Sequence, residues 1–580
     1  MTDRQPSGAG QRQSHILTVN VEDYFHVGAF EGTVLRKHWT RFPSRLERNV
    51  QEVLELLDKH GAKATFFVLG WIADRQPNVV ADIVNAGHEV ASRGYWPGGS
   101  IRTRVRDEFR EDIRRSRQAL EAAGASPVVG YRSSQWIHAQ DAWILDILAE
   151  EGFQYDSSIN PILRRFAWDP RCFEVNRHRH SASDLTLWEY PISTLGLLGL
   201  RVAISGGNYL RQLPHPVMRR AVRWWTKHRR SPLVFYFMSW EMDKDQPEVR
   251  SLPRLNRIRH YRNLERMPEV LDYYLSHYEF QSIGDDLGIE RATQAPRRER
   301  ASGIIDLGTD AITPPTVSPD AQPVTLVIPL YNEDANVTYL HRTLLELRRK
   351  LGQKYRILFN LVDDGSSDST WTALEARFRN VPDCRLLRHP RNLGIGAALV
   401  TGIRAATTDV VCSLDCDCSY DPSELEAMIP MLDHADLVTA SPYHPQGHVF
   451  NVPPWRLFLS KTLSRLYSAS LGDRIHTYTS CCRVYRKSSV DRIELRNPGF
   501  LGVAELLIQA KLAGARIVEH PATLESRLFG ESKMKIVRTI LAHLGLLRDL
   551  ALRRPVLYLA SAPAAGEAPS PSAVPAPSNS

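Results

Sequence analysis

The chain has 580 residues, 43% of them hydrophobic and 24% charged, with a formal net charge of +8. That length exceeds one ordinary domain, and the composition excludes both a disordered chain and a membrane-embedded one. The positive balance favours anionic partners such as nucleotides or phospholipid head groups; the basic residues are dispersed, and no nucleic-acid footprint is expected.

The N-terminus, Met1-Thr-Asp-Arg-Gln-Pro, is polar and lacks the apolar core of a signal peptide. No run of about 18 apolar residues marks a membrane span. The seven cysteines are an odd number. Without an export signal they read as reduced thiols, and the chain reads as cytoplasmic. Cys412, Cys416 and Cys418 cluster, but C-x3-C-x-C fits no zinc ribbon.

In chain order, residues 1–14 read as disordered. Strand patterns follow at His15–Val21, Ala62–Gly70, His88–Ala91, Val128–Arg132 and Leu233–Met238. Helical periods cover Arg45–Lys59, Pro77–Ala86, Glu108–Ala123 and Asp141–Glu151. The alternation predicts a largely parallel sheet or barrel for a first domain, 15–288. Residues 289–322, with Thr313-Pro-Pro-Thr-Val-Ser-Pro at their centre, read as a linker. A second alternation of strands and helices spans 323–555. The Ala-, Pro- and Ser-rich end, 556–580, reads as a disordered tail.

The first domain carries Thr18-Val-Asn-Val-Glu-Asp-Tyr-Phe, Ala64-Thr-Phe-Phe-Val-Leu-Gly-Trp, Gly87-His-Glu-Val-Ala-Ser-Arg-Gly-Tyr and Val234-Phe-Tyr-Phe-Met-Ser-Trp-Glu. Through these it resembles the NodB-type polysaccharide deacetylases, especially those that accompany exopolysaccharide and exosortase gene clusters. The resemblance implies an irregular (β/α) barrel and metal-assisted amide hydrolysis. It also implies which residues stand at the reactive positions. The base position carries Asn20, the two metal-histidine positions carry Arg93 and Pro97, and the acid position carries Met238. Glu22, Asp23 and Arg132 remain. An amide is no base, a guanidinium repels a divalent metal, and proline has no ligand atom. The expectation is a degenerate deacetylase without zinc. The alternative is a bifunctional enzyme that recruits other ligands such as His88.

In the second domain, Val410-Val-Cys-Ser-Leu ends in Asp415-Cys-Asp417. Two carboxylates at a strand end suit a hard cation, Mg²⁺ or Mn²⁺, with positions open for phosphate oxygens. Val327-Ile-Pro-Leu-Tyr-Asn-Glu, Leu361-Val-Asp-Asp-Gly-Ser and Arg388-His-Pro-Arg-Asn-Leu-Gly-Ile-Gly precede that pair. Tyr478-Thr-Ser-Cys-Cys-Arg, Gly502-Val-Ala-Glu and Arg527-Leu-Phe-Gly-Glu-Ser-Lys follow it. The set is similar to family 2 glycosyltransferases of the dolichol- and polyprenyl-phosphate mannose synthase type.

That similarity implies a GT-A (Rossmann-like) fold with a metal at Asp415 and Asp417. It implies a nucleotide-sugar pocket at Pro329, Tyr331, Glu333, Asp363, Asp364, Asn392 and Gly394. Arg527, Ser532 and Lys533 would bind an acceptor phosphate. Glu505 falls near the acceptor, where it is either catalytic or a buried helix acid satisfied by a partner such as Arg483. The expected partners are a nucleotide diphosphate sugar and a polyprenyl phosphate or nascent glycan. The basic, amphipathic stretch 533–554 reads either as a peripheral membrane contact on the inner face of the cytoplasmic membrane or as a helix packed on its own domain. A non-catalytic glycan-binding scaffold is the remaining alternative.

Overall fold

The computed structural model describes residues 13–97, 105–137, 141–161, 176–182, 185–197, 200–229, 231–297, 318–530 and 536–552. Two compact units divide at Thr313–Pro314. Of the stretches read as disordered, 1–12 and 556–580 lie outside the described residues, as does Cys172.

The strands of the first unit are β1 (His15–Val21), β2 (Thr65–Val68), β3 (Glu89–Ser92), β4 (Gly130–Tyr131) and β5 (Tyr155–Asp156). They are followed by β6 (His178–Ala182), β7 (Leu185–Glu189), β8 (Thr194–Leu197), β9 (Leu200–Ala203), β10 (Val234–Met238) and β11 (Phe280–Gln281). The main sheet runs β10-β1-β2-β3-β4-β5-β7-β6, with β11 also on β1. All its pairings are parallel except β6 with β7. β1 is buried along its whole length, as a central strand covered on both faces requires. Helices Leu46–Lys59, Pro77–Asn85 and Arg106–Ala122 form the crossovers, and each buries one apolar face. This is the curled α/β sheet of an irregular (β/α) barrel. No pairing among the described residues joins β6 to β10.

The second unit contains β12 (Gln322–Leu330), β13 (Tyr355–Asp363), β14 (Cys384–Arg388), β15 (Val410–Ser413) and β16 (Leu437–Ser441). β17 (His448–Phe450), β18 (Arg483–Arg486), β19 (Ile517–Pro521) and β20 (Thr523–Glu525) complete it. Seven strands order as β14-β13-β12-β15-β18-β16-β19. β14, β13, β12 and β15 are parallel, and β18 is antiparallel to both its neighbours. The chain leaves β12 toward β13 and returns on the other side as β15. The strand order therefore reverses between β12 and β15, where an open α/β sheet forms a ligand crevice at its carboxyl edge. This is the GT-A architecture.

The expected linker is shorter than 289–322. Ala292 donates to the Ser126 carbonyl at 2.8 Å, and Ala295 exchanges two hydrogen bonds with the Asn85 side chain. Residues 289–297 thus finish the first unit. At the other end Ser318 donates to Gly352, and β12 has begun by Gln322. Composition marked these stretches as linker; backbone hydrogen bonding ties them down.

One buried feature of the first unit sets a pH dependence. Asp156 of β5 and Glu189 of β7 are register partners, both fully buried. Ser158 donates to Asp156 from Oγ at 2.6 Å and from its backbone N at 3.0 Å. Glu189 Oε1 accepts from Ile159 N, while Oε2 meets no donor among the described residues. Burial, then the Asp156 charge, raises the Glu189 pKa well above the carboxylate range, so the pair shares a proton. A raised folded pKa contributes stability below the unfolded value of about 4.3, and that contribution is lost as pH rises toward the folded value. Glu189→Gln therefore raises the unfolding midpoint of this unit, relative to the parent, more at pH 8 than at pH 4. Thermal unfolding at the two pH values measures it.

Candidate functional site

The first unit places its family's reactive positions together at the carboxyl ends of β1, β3, β4 and β10. Asn20 is register partner to Met238 and Phe67. Arg132, fully buried, donates to Thr18 Oγ1 at 2.8 Å, Asn20 Oδ1 at 3.1 Å and Ser157 Oγ at 2.7 Å. Its guanidinium also lies over the Phe67 ring. Arg93 forms a charge-assisted hydrogen bond from Nε to Glu22 Oε1, with both side chains under 5% exposed. Asp23 caps the following turn by accepting from Tyr24 N and Arg45 N. Met238 accepts a 3.2 Å contact from Trp240 Nε1.

Glu22, which would be the acidic ligand, is thus consumed by a fixed cation. These residues do not fit a metal ion. His88 is no substitute. It precedes β3, whereas Arg93 follows it, five residues on, so along an extended strand they stand roughly 16 Å apart. His88 is buried near Phe66 at the far end of the sheet. The sequence reading that set it beside this centre is corrected.

In the second unit, the ends of β12, β13 and β15 converge. Ser413 Oγ donates to the Cys481 carbonyl at 2.5 Å, and Leu414 N donates to Val327 O, which fixes where Asp415 begins. Asp417 Oδ1 accepts from Ser419 N and Oγ at 3.0 and 2.7 Å. Its Oδ2 accepts from Arg527 Nε at 2.8 Å. Arg527 Nη1 lies 2.9 Å from Glu333 Oε1, and Glu333 Oε2 accepts from Asn336. One half-buried guanidinium therefore bridges Glu333 and Asp417. Burial, then the charge of Asp417, pushes the Asp415 pKa up to about 7.

Arg527 reaches this place because of the short strands before it. β20 pairs with β17, Leu524 bridges to Tyr420, and Glu525 N donates to Ser419 O. That lays the chain directly beside the Asp415–Ser419 turn. Ser532 and Lys533 lie outside the described residues. Sequence grouped Arg527 with an acceptor phosphate. The structure sets it against the donor-side carboxylates.

The nucleotide-pocket candidates divide into two groups. Pro329 is the penultimate residue of β12, register partner to Val362, and Tyr331, just past the strand, is half-buried. Asn332 adopts φ 52°, accepts from Ser367 N through its side chain and donates from its backbone to Ser366 Oγ. Asp363 Oδ1 accepts from Ser366 N. Its buried Oδ2 has the Arg388 guanidinium at 3.0 Å but accepts no aligned hydrogen bond.

Asp364 differs. It accepts from Leu393 N at 2.8 Å, Gly394 N at 2.7 Å, Asn392 Nδ2 at 3.0 Å and pairs with His389 Nδ1 at 2.7 Å. Its oxygens are committed to shaping the 389–394 loop, as is the Asn392 amide. A direct nucleotide contact by Asp364 is therefore corrected to a positioning role. Gly394, at φ 107°, brings that loop against Pro498, where a Cβ would meet Pro498 O at 2.5 Å.

Glu505 is likewise corrected. It accepts from Arg496 N at 2.8 Å and Asn497 N at 3.0 Å, and from the side chains of Asn497 and Gln509. It is 1% exposed, and no lone pair is left for a substrate proton. Arg483 is not its partner; that guanidinium binds the Val503 and Tyr478 carbonyls. Asn336, His389 and Arg388 went unread in sequence. His389-Pro-Arg-Asn was visible as a motif, but nothing in it told which carboxylate the imidazole would meet.

Among the described residues no three His, Cys, Asp or Glu close into a metal cage. Asp415 and Asp417 nevertheless fit one hard divalent cation. They offer oxygen donors of the right charge at the crevice and leave other positions for phosphate and water.

The sequence model of Glycosyl transferase family 2 matches residues 325–494. The Polysaccharide deacetylase model matches 39–154, and a domain of unknown function (DUF3473) matches 157–287. Over 229 residues the chain is 32% identical to polyprenol monophosphomannose synthase of Mycolicibacterium smegmatis, covering 38% of this chain and 84% of that protein.

The chain belongs to glycosyltransferase family 2.

Undecaprenyl-phosphate mannosyltransferase of Micrococcus luteus is 30% identical over 217 residues, 36% of this chain and 87% of its own. Dolichol-phosphate mannosyltransferase of Pyrococcus furiosus is 30% identical over 216 residues, 37% of this chain and 59% of its own. This family 2 enzyme thus carries its glycosyltransferase domain behind a fused polysaccharide deacetylase domain.

Two substitutions test the corrected assignments. Glu505→Gln turns an acceptor toward donors and costs about 1–3 kcal/mol of stability, while turnover per folded molecule stays within a few-fold of the parent. Glu22→Ala strands a buried Arg93 and costs about 3–5 kcal/mol of first-unit stability. Denaturant unfolding measures both.

Proposed function

We propose that the second unit transfers a hexosyl group, with inversion, from a nucleoside diphosphate sugar to a polyprenyl phosphate or nascent glycan, and that the first unit does not hydrolyse amides. The observation that carries this reading is the cluster of Asp415, Asp417 and Glu333 around Arg527 at the reversal point of the sheet. It lies in a domain related along most of its length to polyprenyl-phosphate mannose synthases.

A divalent cation at Asp415 and Asp417, when bound, would neutralise charge on the leaving diphosphate. The chain's own groups do the rest. The backbone after Pro329, with Asn332, receives the nucleoside, and Asp363 shapes its floor through Ser366 N and Arg388. Glu333 and Asp417 hold Arg527 within reach of the diphosphate. An acceptor phosphate is largely dianionic at neutral pH and attacks without a strong base, which agrees with Glu505 being occupied.

The surface supports contact with a lipid acceptor. Helices Pro454–Leu471 and Ile536–Ala551 pack together, with Tyr467 Oη and His543 Nδ1 at 2.8 Å. The second buries Leu546 in the domain core yet exposes Leu541 and Leu544. The first exposes Trp455, Phe458 and Leu459. One side of the described part of 533–554, residues 536–552, packs on its own domain; the exposed leucines of the other side support the reading of a contact with an anionic bilayer. Among the described residues no helix is long and apolar enough to cross a membrane.

Asp415→Asn and Asp417→Asn are each expected to lower transfer per folded molecule at least about a hundredfold. Transfer is followed with a panel of nucleotide sugars, polyprenyl phosphate and Mn²⁺. Unchanged transfer in both variants defeats the assignment. Phe458→Asp with Leu541→Asp should abolish co-sedimentation with phosphatidylglycerol vesicles; retained binding removes the membrane contact.

A further inference from the structure

Between Glu189 and Glu241 the chain carries eight Lys and Arg residues and no Asp or Glu. Over the whole chain the two signs stand at 73 against 65, a net charge of +8. This one stretch of the first unit therefore holds an excess as large as that of the entire protein. Helix His215–His228 lies within it and carries four of the eight, Arg219, Arg220, Arg223 and Lys227.

The inner face of this helix is complete. Met218, Val222 and Trp225, at i, i+4 and i+7, are its buried residues. Arg219 is drawn inward over the Tyr273 ring, at 3.5 Å. Val217, Arg220, Trp224 and Lys227, at i, i+3, i+7 and i+10, line the outer side and are exposed, Val217 to 56% and Trp224 to 46%. Arg223 and His228 flank them and are exposed too. The Trp224 ring stacks on His228 at 4.7 Å, which holds it on the outside. Among the described residues Arg220, Arg223 and Lys227 pair with no carboxylate.

The neighbouring helix, Arg254–Tyr261, has the same character. It contains no acidic residue and exposes Arg254, Leu255, Ile258 and Arg259. Glu248 reaches it at Arg257. Its C-terminal turn is tied to the chain just before the first helix, because Arg211 donates to the Arg262 carbonyl at 2.7 Å and Gln212 to the Arg259 carbonyl at 3.1 Å. Both helices present single convex faces, which suit a flat partner better than a peptide seeking a groove. An exposed tryptophan ringed by unpaired cations matches a head-group layer. The ring sits at the interface, and the long basic side chains reach the lipid phosphates around it.

We infer that helix His215–His228 of the first unit rests on an anionic lipid bilayer, with Val217 and Trp224 at head-group level and Arg220, Arg223 and Lys227 against lipid phosphates. A stripe of this size binds weakly by itself, and a stable anchor takes two signals. The contact proposed above for the second unit supplies the other, and loss of either drops binding below what sedimentation detects. The inference does not depend on the transfer reaction.

Hydrogen exchange of the full chain, read by mass spectrometry with and without vesicles, tests it peptide by peptide. Exchange over 215–228 should slow at least about twofold with phosphatidylglycerol vesicles and stay unchanged with phosphatidylcholine. Arg220→Gln, Arg223→Gln and Lys227→Gln combined keep good helix formers and should weaken phosphatidylglycerol binding at least about tenfold. Unchanged exchange over 215–228 overturns the inference. If 454–471 or 536–551 slows instead, the second unit's contact stands without it; if neither slows, both fall. Vesicle binding indifferent to the triple substitution also overturns it. So does slowing over 215–228 with polyglutamate but not with vesicles, which assigns the stripe to an acidic protein.

Discussion

The second unit depends on the electrostatic problem posed at one strand end. Asp415 and Asp417 arrive there from one stretch of chain and Glu333 from another, and their mutual repulsion in a half-buried crevice opposes the fold. Arg527 relieves it. The guanidinium geometry matters, because Nε faces Asp417 while Nη1 faces Glu333, and an ammonium could not span both with fixed direction. The β17–β20 pair and the Tyr420–Leu524 bridge make sense as the means of delivering that arginine.

The first unit meets a related problem with the opposite result. Arg93 there faces Glu22, and Arg132 holds the amide of Asn20. The contrast is in burial. Arg527 retains 24% exposure of its side chain, so phosphate can compete for the guanidinium and a cation for its carboxylates, whereas Arg93 retains 4%. Removing a fully desolvated ion pair's partner costs several kcal/mol, so no incoming ligand displaces Arg93 cheaply. One arginine keeps an edge to solvent; the other is a permanent part of the core.

Much of this was legible in sequence. Long apolar strands such as His15–Val21, and amphipathic helices such as Leu46–Lys59, fell within a residue of their expected bounds because burial on one face or both dictates their pattern. The short strand β5, two residues, and the β8–β9 hairpin carry too few side chains for any period to register. Residues 289–297 were lost to composition, since their order comes from the Asn85 side chain and Ser126 backbone far away in the chain. At the sites, residue types pointed to the right neighbourhoods. What sequence could not supply was hydrogen-bond satisfaction. Asp363 and Asp364 are adjacent and chemically identical, yet one has an oxygen without an aligned hydrogen bond and both oxygens of the other are bonded.

That difference explains why so many acids stand around the crevice without acting on substrate. Asp364 gathers His389, Asn392, Leu393 and Gly394 into one loop. The loop presses Gly394 onto Pro498, in the segment that Glu505 holds from the other side through Arg496 and Asn497. The two carboxylates thus clamp two loops face to face, each by accepting backbone N–H groups that no strand or helix could satisfy there. A charged acceptor suits this better than a neutral one, because it binds several donors at once and fixes their directions. The crevice carboxylates at Asp417 and Glu333 are thereby left to hold one arginine, while Asp364 and Glu505 order the loops around them.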